Sequence, residues 1–325
     1  CSAIMEQAIE RVSAACSATG RNEVCHGYFR VEAKAHDEDL SLPFSVGDII
    51  SVLNVSALTT APMNLESGEW GVALLRLQAN LPDVLPGQNV TFLLLGDTRI
   101  QADDTSENAR PMQIFQLETG ITGVRCSEGP ADGLLVQTPA DVQQIKLTVN
   151  GVTIEAAGTA FVQAQPGKSM IVSALDGTIT VSLGDQRYLL ETGTQVENPM
   201  DDHLNPRGEM SAPVAVQLSA VVGLPIALLP RAVESPIFEA SHAAQDMSSN
   251  SSFATADAVT AQPTSSAMAG VNLSDVLEDG GDAQSALLTF SVVVLILILI
   301  LLLTVVIVLA IRAVLRQIRL RQGMK

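Results

Sequence analysis

The first 18 residues place apolar side chains at helical spacing. Four of them recur every three or four positions, while charged residues fall between them: Ile4, Ala8, Val12 and Ala15 against Glu6, Glu10 and Arg11. This period predicts one amphipathic helix. Gly20 is expected to end it, so residues 1–19 form the first predicted segment.

Residues 20–131 read as a series of short strands. Residues 28–33 alternate, and four further runs are rich in apolar and β-branched residues, with turn signals at Pro82 and Pro86–Gly87 between two of them: 48–55, 70–77, 89–95 and 112–117. Such runs are typical of half-buried or buried strands. We therefore expect a β-rich region that disulfides hold together.

The strand pattern is clearest from residue 134 to 196. Apolar and polar residues alternate on both sides of Asn150–Gly151, a dipeptide that favours a two-residue hairpin turn. Asp176–Gly177 and Gly184–Asp185 provide two more hairpin signals. The predicted fold class is mainly β, an antiparallel sandwich or rolled sheet in which one face of each strand is buried.

A second apolar stretch, residues 213–232, follows these strands. Gly223, Pro225 and Pro230 interrupt it, so it is a poor membrane span. We expect it to close over an apolar face of the β-domain, which places that domain at residues 132–233 with the stretch as its C-terminal extension.

The last 92 residues have a different composition. Residues 234–285 are rich in Ser, Ala and Thr and predict a disordered tether. Residues 286–311 contain no charge, and about 39 Å of helix at about 1.5 Å per residue would cross a bilayer. The tail 312–325 carries only basic charges, which are expected to fix the orientation of the chain: Arg312, Arg316, Arg319, Arg321 and Lys325.

Charge supports the same topology. The chain has 325 residues and a net charge of −17, yet its mean hydropathy is +0.30. The tail contributes +5, which leaves −22 on the residues before the span. We expect a single-pass cell-membrane protein with its N-terminus outside and its C-terminus in the cytoplasm. Because the chain begins at Cys1, an export signal has been removed or the sequence is trimmed. An acidic, aromatic-poor chain without a basic stripe argues against nucleic-acid partners.

Four cysteines lie in the predicted external part: Cys1, Cys16, Cys25 and Cys126. An even number in an oxidising compartment favours two disulfides, with three possible connectivities. A helix over residues 2–18 would hold Cys1 and Cys16 about 22 Å apart, too far for a bridge. Pairs such as Cys16 with Cys25, or either with Cys126, remain open, as does lipidation of Cys1.

Catalytic and metal-binding motifs are missing from the sequence. Neither a nucleophile elbow, a zincin motif, a P-loop nor a dinucleotide-binding turn is present. His36 with Asp37, Glu38 and Asp39, and His203 with Asp201 and Asp202, are read as solvated acidic loops because neither has ligand spacing. His26 and His242 have no ligand company. We predict no enzyme activity, cofactor or metal.

A single tryptophan and four glycosylation sequons are predicted to have structural or neutral roles. Trp70, the only tryptophan, is predicted to lie in the core or in a hairpin, with a binding platform as the alternative. Sequons occur at Asn54, Asn89, Asn250 and Asn272, and they matter only in a eukaryotic secretory pathway.

The segment from Gly158 to Val196, GTAFVQAQPGKSMIVSALDGTITVSLGDQRYLLETGTQV, resembles the FecR-type extracytoplasmic β-domain of bacteria. The resemblance rests on the order of its parts: Gly-Thr and a strand, a strand ending in Asp-Gly, a Thr/Val strand, and a final Gly before the last strand. It implies a bacterial sensor that passes an outside signal to a regulator within. Here the β-domain precedes the membrane segment, the reverse of the family's order, which argues against direct control of a sigma factor.

Three functions follow from these observations. The first is a non-enzymatic membrane protein that presents a FecR-like β-domain for binding, scaffolding or sensing at the cell envelope, with a protein or envelope component as its outside partner. The second is a transmembrane signal transducer acting through its basic tail. The third is an envelope enzyme with an unrecognised site in residues 20–130, which would need His26 or His36 beside carboxylates.

Overall fold

The computed structural model describes residues 1–37, 42, 44–78, 88–103, 111–120, 129–140 and 144–235. The predicted span 286–311, the basic tail, nearly all of the tether, Cys126, Glu38, Asp39 and His242 lie outside these residues. Within them, no helix combines the length and the hydropathy that crossing a bilayer requires.

One helix opens the chain and short helical turns occur later: α1 Ser2–Ala15, α2 Leu218–Val221, and 3₁₀ turns at Val52–Asn54 and Ile226–Leu228. The described strands are β1 Glu23–Tyr28, β2 Val31–Ala35, β3 Ile49–Ser51, β4 Val55–Thr60, β5 Val72–Leu77, β6 Val90–Leu95, β7 Thr98–Ala102, β8 Ile114–Thr119, β9 Gly133–Gln137, β10 Ile145–Val149, β11 Val152–Ala164, β12 Ser169–Leu183, β13 Gln186–Glu191, β14 Thr194–Pro199 and β15 Val214–Ala215. The mainly β fold class is confirmed, and α1 confirms the N-terminal helix.

All described strands belong to one curled sheet. Its main path runs β2-β4-β7-β8-β10-β11-β9-β6-β5-β1-β3, and β12 branches from β11 to pair with β13 and β14. Every pair is antiparallel except β8 with β10, which is parallel. Three strands from after residue 131, β10, β11 and β9, therefore lie between two groups of strands from before it, with β8 on one side and β6 on the other.

Two long strands bend where two glycines face each other. Gly158 on β11 pairs with Gly177 on β12, and the register shifts just beyond them, at Thr159. A Cβ on Gly158 would lie 2.1 Å from the Asp176 carbonyl oxygen, and Gly177 has a φ of +72°. Only glycine tolerates this close approach and backbone angle. The predicted hairpin at Asp176–Gly177 is therefore wrong: this dipeptide lies inside β12, beside a bulge at Leu175, which has no Cα partner on β11.

Local turn signals elsewhere had mixed outcomes. Asn150 and Gly151 have φ values of 50° and 77° and connect β10 to β11, which confirms the predicted hairpin. Gly184–Asp185 likewise joins β12 to β13.

Two predicted strands differ in the structure. The predicted strand over 28–33 is broken at Phe29 and Arg30, both with positive φ, so it becomes the β1–β2 connection. The run 48–55 divides into β3, a 3₁₀ turn and the start of β4.

The central strands bury both of their faces. Phe92 and Leu94 contribute to an inner cluster that the curled sheet surrounds, whereas Leu93 and Leu95 point to an outer cluster. β6 is therefore buried at every position, which explains its uninterrupted apolar run. The outer cluster needs a cover because a sheet face this apolar cannot remain in water.

The cover is made by α1 and the C-terminal extension. Met5, Ala8 and Val12 of α1 pack into the outer cluster beside four extension residues, Val216, Val221, Leu224 and Leu229. The extension thus packs over an apolar sheet face, as predicted. That face includes Leu93 and Leu135 of β6 and β9 as well as Phe161 of β11, so the cover spans strands from both halves of the chain.

Candidate functional site

The paired cysteines join α1 to the sheet. Cys16 and Cys25 form a disulfide with their Cα atoms 5.7 Å apart, which confirms one of the predicted pairs. Cys1 is also disulfide-bonded. A thiol that is used in a disulfide cannot carry a thioether-linked lipid, so the structure argues against the lipidated reading of Cys1. Cys126 lies outside the described residues.

His26 is a core residue with both ring nitrogens in use. Its Nδ1 lies 3.1 Å from the Phe44 carbonyl oxygen, and its Nε2 accepts a hydrogen bond from the Val31 backbone N–H. Nε2 must therefore be unprotonated and the ring neutral. Burial lowers the pKa of His26, against smaller upward effects of the Phe44 carbonyl and the Asp48 charge. The ring ties β1 to β2, and its two described hydrogen bonds join it to backbone groups.

The second His-acid motif forms a closed turn. The Asp201 carboxylate accepts hydrogen bonds from the backbone N–H groups of His203 and Asn205. These bonds, led by that from the Asn205 backbone, lower the pKa of Asp201. Among the described residues, no three His, Cys, Asp or Glu side chains converge as metal ligands would.

Trp70 is 2% exposed and packs in the outer cluster. The prediction of a core residue is confirmed. Burial excludes the alternative of an exposed stacking platform.

A cleft lies at one end of the outer sheet face, just past the apolar cover. It has a volume of about 350 Å³. The outward positions change from Phe161 on β11, in the outer cluster, to Gln163 on β11 and Gln165 just after it, both in the cleft. Ile171 of β12 pairs with Gln163. The same sheet face thus serves as a core surface at one end and as the cleft floor at the other.

The cleft walls come from separate parts of the chain. Residues 129–131 form one wall, and the start of α2 with the residues before it forms the other. The polar lining consists of four amides and two hydroxyls: Gln163, Gln165, Gln195, Gln217, Ser169 and Ser219. None of the lining residues that the structure describes is charged, and Lys168 Nζ donates a 3.2 Å hydrogen bond to Gln165 Oε1 at the rim.

A second cavity, of about 370 Å³, has Arg76 and Arg231 in its lining. The Arg231 guanidinium forms an ion pair with Asp176 at the β12 bulge, and Arg76 donates a 2.9 Å hydrogen bond to the Thr19 carbonyl oxygen. The buried Gln137 side chain holds the backbone of Arg231 through two 2.9 Å hydrogen bonds, one to its carbonyl oxygen and one from its N–H. Because both arginines contact other parts of the protein, we interpret this region as the place where the extension is attached to the sheet.

Comparisons with known proteins give little further guidance. No family model and no curated protein matches the chain. Two crystal structures of a proposed anti-sigma factor from Parabacteroides distasonis are similar over 50% and 44% of this chain, at 12% and 13% identity and with TM-scores of 0.30 and 0.27. In each case the match spans 60% of the other chain. TM-scores this low establish neither a common fold nor a common activity, and the resemblance to the FecR-type domain stays a prediction.

The sequence contained only part of the signal for the cleft. Gln163 and Gln165 occupy alternate positions after Phe161, which marks a strand face turning from apolar to polar. Gln195 and Gln217 join them only because β14 pairs with β12 and because the extension folds back over the sheet. These residues were therefore not identified as candidates before the topology was known.

Proposed function

We propose that this chain is a non-enzymatic, single-pass membrane protein that presents its β module outside the bacterial cell for binding, scaffolding or sensing. The observation that carries the proposal is the order of parts. A disulfide-bonded module reaches residue 235, a Ser/Ala/Thr-rich stretch follows, and then come the uncharged run 286–311 and the basic tail. Disulfides are typical of exported domains, and basic residues after the span keep the tail inside.

The cleft supports binding over catalysis. Its described lining offers amides and hydroxyls, and among those residues there is neither an acid–base pair nor an activated nucleophile. Its floor is a paired sheet, so the side chains are held on a rigid scaffold. A concave, preformed pocket with a few fixed polar groups is the usual form of a small-ligand site.

The topology can be tested by protease treatment of spheroplasts, in which the outer layers of the envelope are removed and the cell membrane is intact. We expect an external protease to cleave within residues 234–285, to release the β module into the medium and to leave a short membrane-bound fragment. The matched control is Leu297→Arg with Leu301→Arg, two charges in the apolar run, which should move the full chain out of the membrane fraction. A wild-type chain that stays uncleaved, or that extracts with alkaline carbonate, would contradict the proposal.

A signal transducer is the second candidate, favoured by the five basic residues of the tail. Deleting residues 312–325 distinguishes the two. If the tail only sets orientation, the deletion should invert or abolish insertion. If the tail contacts an inside partner, the deleted chain should insert correctly but lose a transcriptional response that the full chain supports.

A further inference from the structure

Two buried glutamines present free hydrogen-bonding atoms to the cleft. The Oε1 atom of Gln195 accepts hydrogen bonds from Ser173 Oγ at 3.4 Å and from the Gln217 backbone N–H at 3.3 Å. The Nε2 group of Gln195 donates a hydrogen bond to no other described residue, and this atom is not one of the fully buried side-chain atoms that lack a partner. Gln195 is only 4% exposed, so these bonds fix its amide with the donor turned to the open side.

Gln163 shows the opposite polarity. Its Nε2 donates a 3.0 Å hydrogen bond to the Asp132 carbonyl oxygen, which leaves Oε1 as an acceptor without a partner in the described part of the chain. Gln163 is 9% exposed. The cleft therefore combines a fixed donor and a fixed acceptor, and the more exposed Gln165, Gln217 and Ser219 add adjustable groups of both kinds.

The uncharged character of the described lining indicates the class of ligand. A charged ligand would lose its hydration without finding a counter-charge among the described lining residues, and an apolar ligand would leave the amides without hydrogen-bond partners. A sugar hydroxyl both donates and accepts, as each amide does. The C–H faces of a sugar ring can pack on the small apolar patches at Ala131, Ile171 and Ala220.

We propose that this cleft binds a neutral saccharide of one or two rings. The volume of about 350 Å³ lies at the lower end of the range for small-ligand pockets, roughly 300–1,000 Å³. The inference deepens the proposed function and rests on it, because a module outside a bacterial cell meets neutral glycans of the envelope.

The test uses the full chain in a detergent without a sugar headgroup, titrated with maltose, N,N′-diacetylchitobiose and an uncharged capped trialanine, with ligand-observed NMR as the readout. Gln165→Ala with Gln217→Ala removes one half-buried and one exposed amide and spares the backbone bond to Gln195. We expect saturable binding of at least one disaccharide, weakened about tenfold in this variant since each lost hydrogen bond is worth about 0.5–1.5 kcal/mol. Gln116→Ala, an exposed glutamine on β8 outside the cleft, should bind within twofold of wild type.

Three results would overturn the proposal: neither disaccharide saturates, the double variant binds like the control, or only the trialanine binds. Trp70 fluorescence monitors the fold of every variant. Because the titration does not depend on topology, its failure would leave the protease result intact, and a soluble chain would fail the protease test while its cleft could still be titrated.

Discussion

Removing the Cys16–Cys25 disulfide should destabilise the β module by an amount that the structure fixes. The bridge joins cysteines nine positions apart and closes a loop of about ten residues. The loop-closure entropy of about −2.1 − 1.5R ln n cal/mol/K then gives about 2.7 kcal/mol at 25 °C for Cys16→Ala with Cys25→Ala. Both side chains are at least 98% buried, so lost packing should add to this value.

Urea unfolding of the full chain, followed by Trp70 fluorescence, measures this loss. Trp70 is the only tryptophan and is buried in the same outer cluster as the two cysteines, so its emission reports on the region concerned. With a slope of about 1–3 kcal/mol/M, the midpoint should fall by about 1–3 M. Cys16→Val with Cys25→Val preserves apolar volume and isolates the loop-closure part. A loss below about 1 kcal/mol in both variants would refute the reasoning.

Two other changes probe the fold. The free energy of unfolding should fall as the pH drops below 6.5, because burial lowers the pKa of His26 and the unfolded chain takes up the proton first. His26→Gln should reduce this pH dependence in urea titrations. An equal slope of unfolding free energy against pH in both proteins would contradict the prediction. Gly177→Ala should lower the free energy of unfolding by at least about 1–3 kcal/mol, since the new Cβ would lie 2.2 Å from the Ala157 carbonyl oxygen at a φ of +72°. Gly184→Ala has open space around its Cβ, so it should show only the smaller backbone cost of its own positive φ. Equal thermal midpoints of the two variants would refute the steric argument.

Local chemistry explains which parts of the fold were predictable. The helix period of residues 2–18 and the Asn150–Gly151 turn depend on neighbouring residues alone, and both were predicted correctly. Asp176–Gly177 carries the same kind of signal, yet it lies inside β12, beside the bulge at Leu175. A glycine with positive φ suits either a hairpin turn or a strand next to a bulge, and the pairing of Gly177 with Gly158, 19 positions away, decides between them.

Burial on two faces explains why the sequence suggested two β regions where the sheet is continuous. A strand such as β6, buried at all six positions, does not show which face packs inward and which packs under a cover. One part of that cover, residues 216–229, comes more than 120 positions later. Periodicity identifies the strands, but it cannot order them, and the order β10-β11-β9-β6 brings both halves together.

The C-terminal extension connects the stability of the module to the shape of its cleft. Its residues Val221 and Leu224 cover the outer cluster, while Gln217 and Ser219, a few positions earlier, form a cleft wall. Gln137 then fixes the extension at Arg231, beside the β12 bulge. A chain ending before residue 213 would expose Leu93, Leu135 and Phe161 to water and would lose that wall at the same time. The smallest piece that keeps both the covered core and the cleft is therefore the whole module up to Arg231, and neither β region alone contains both.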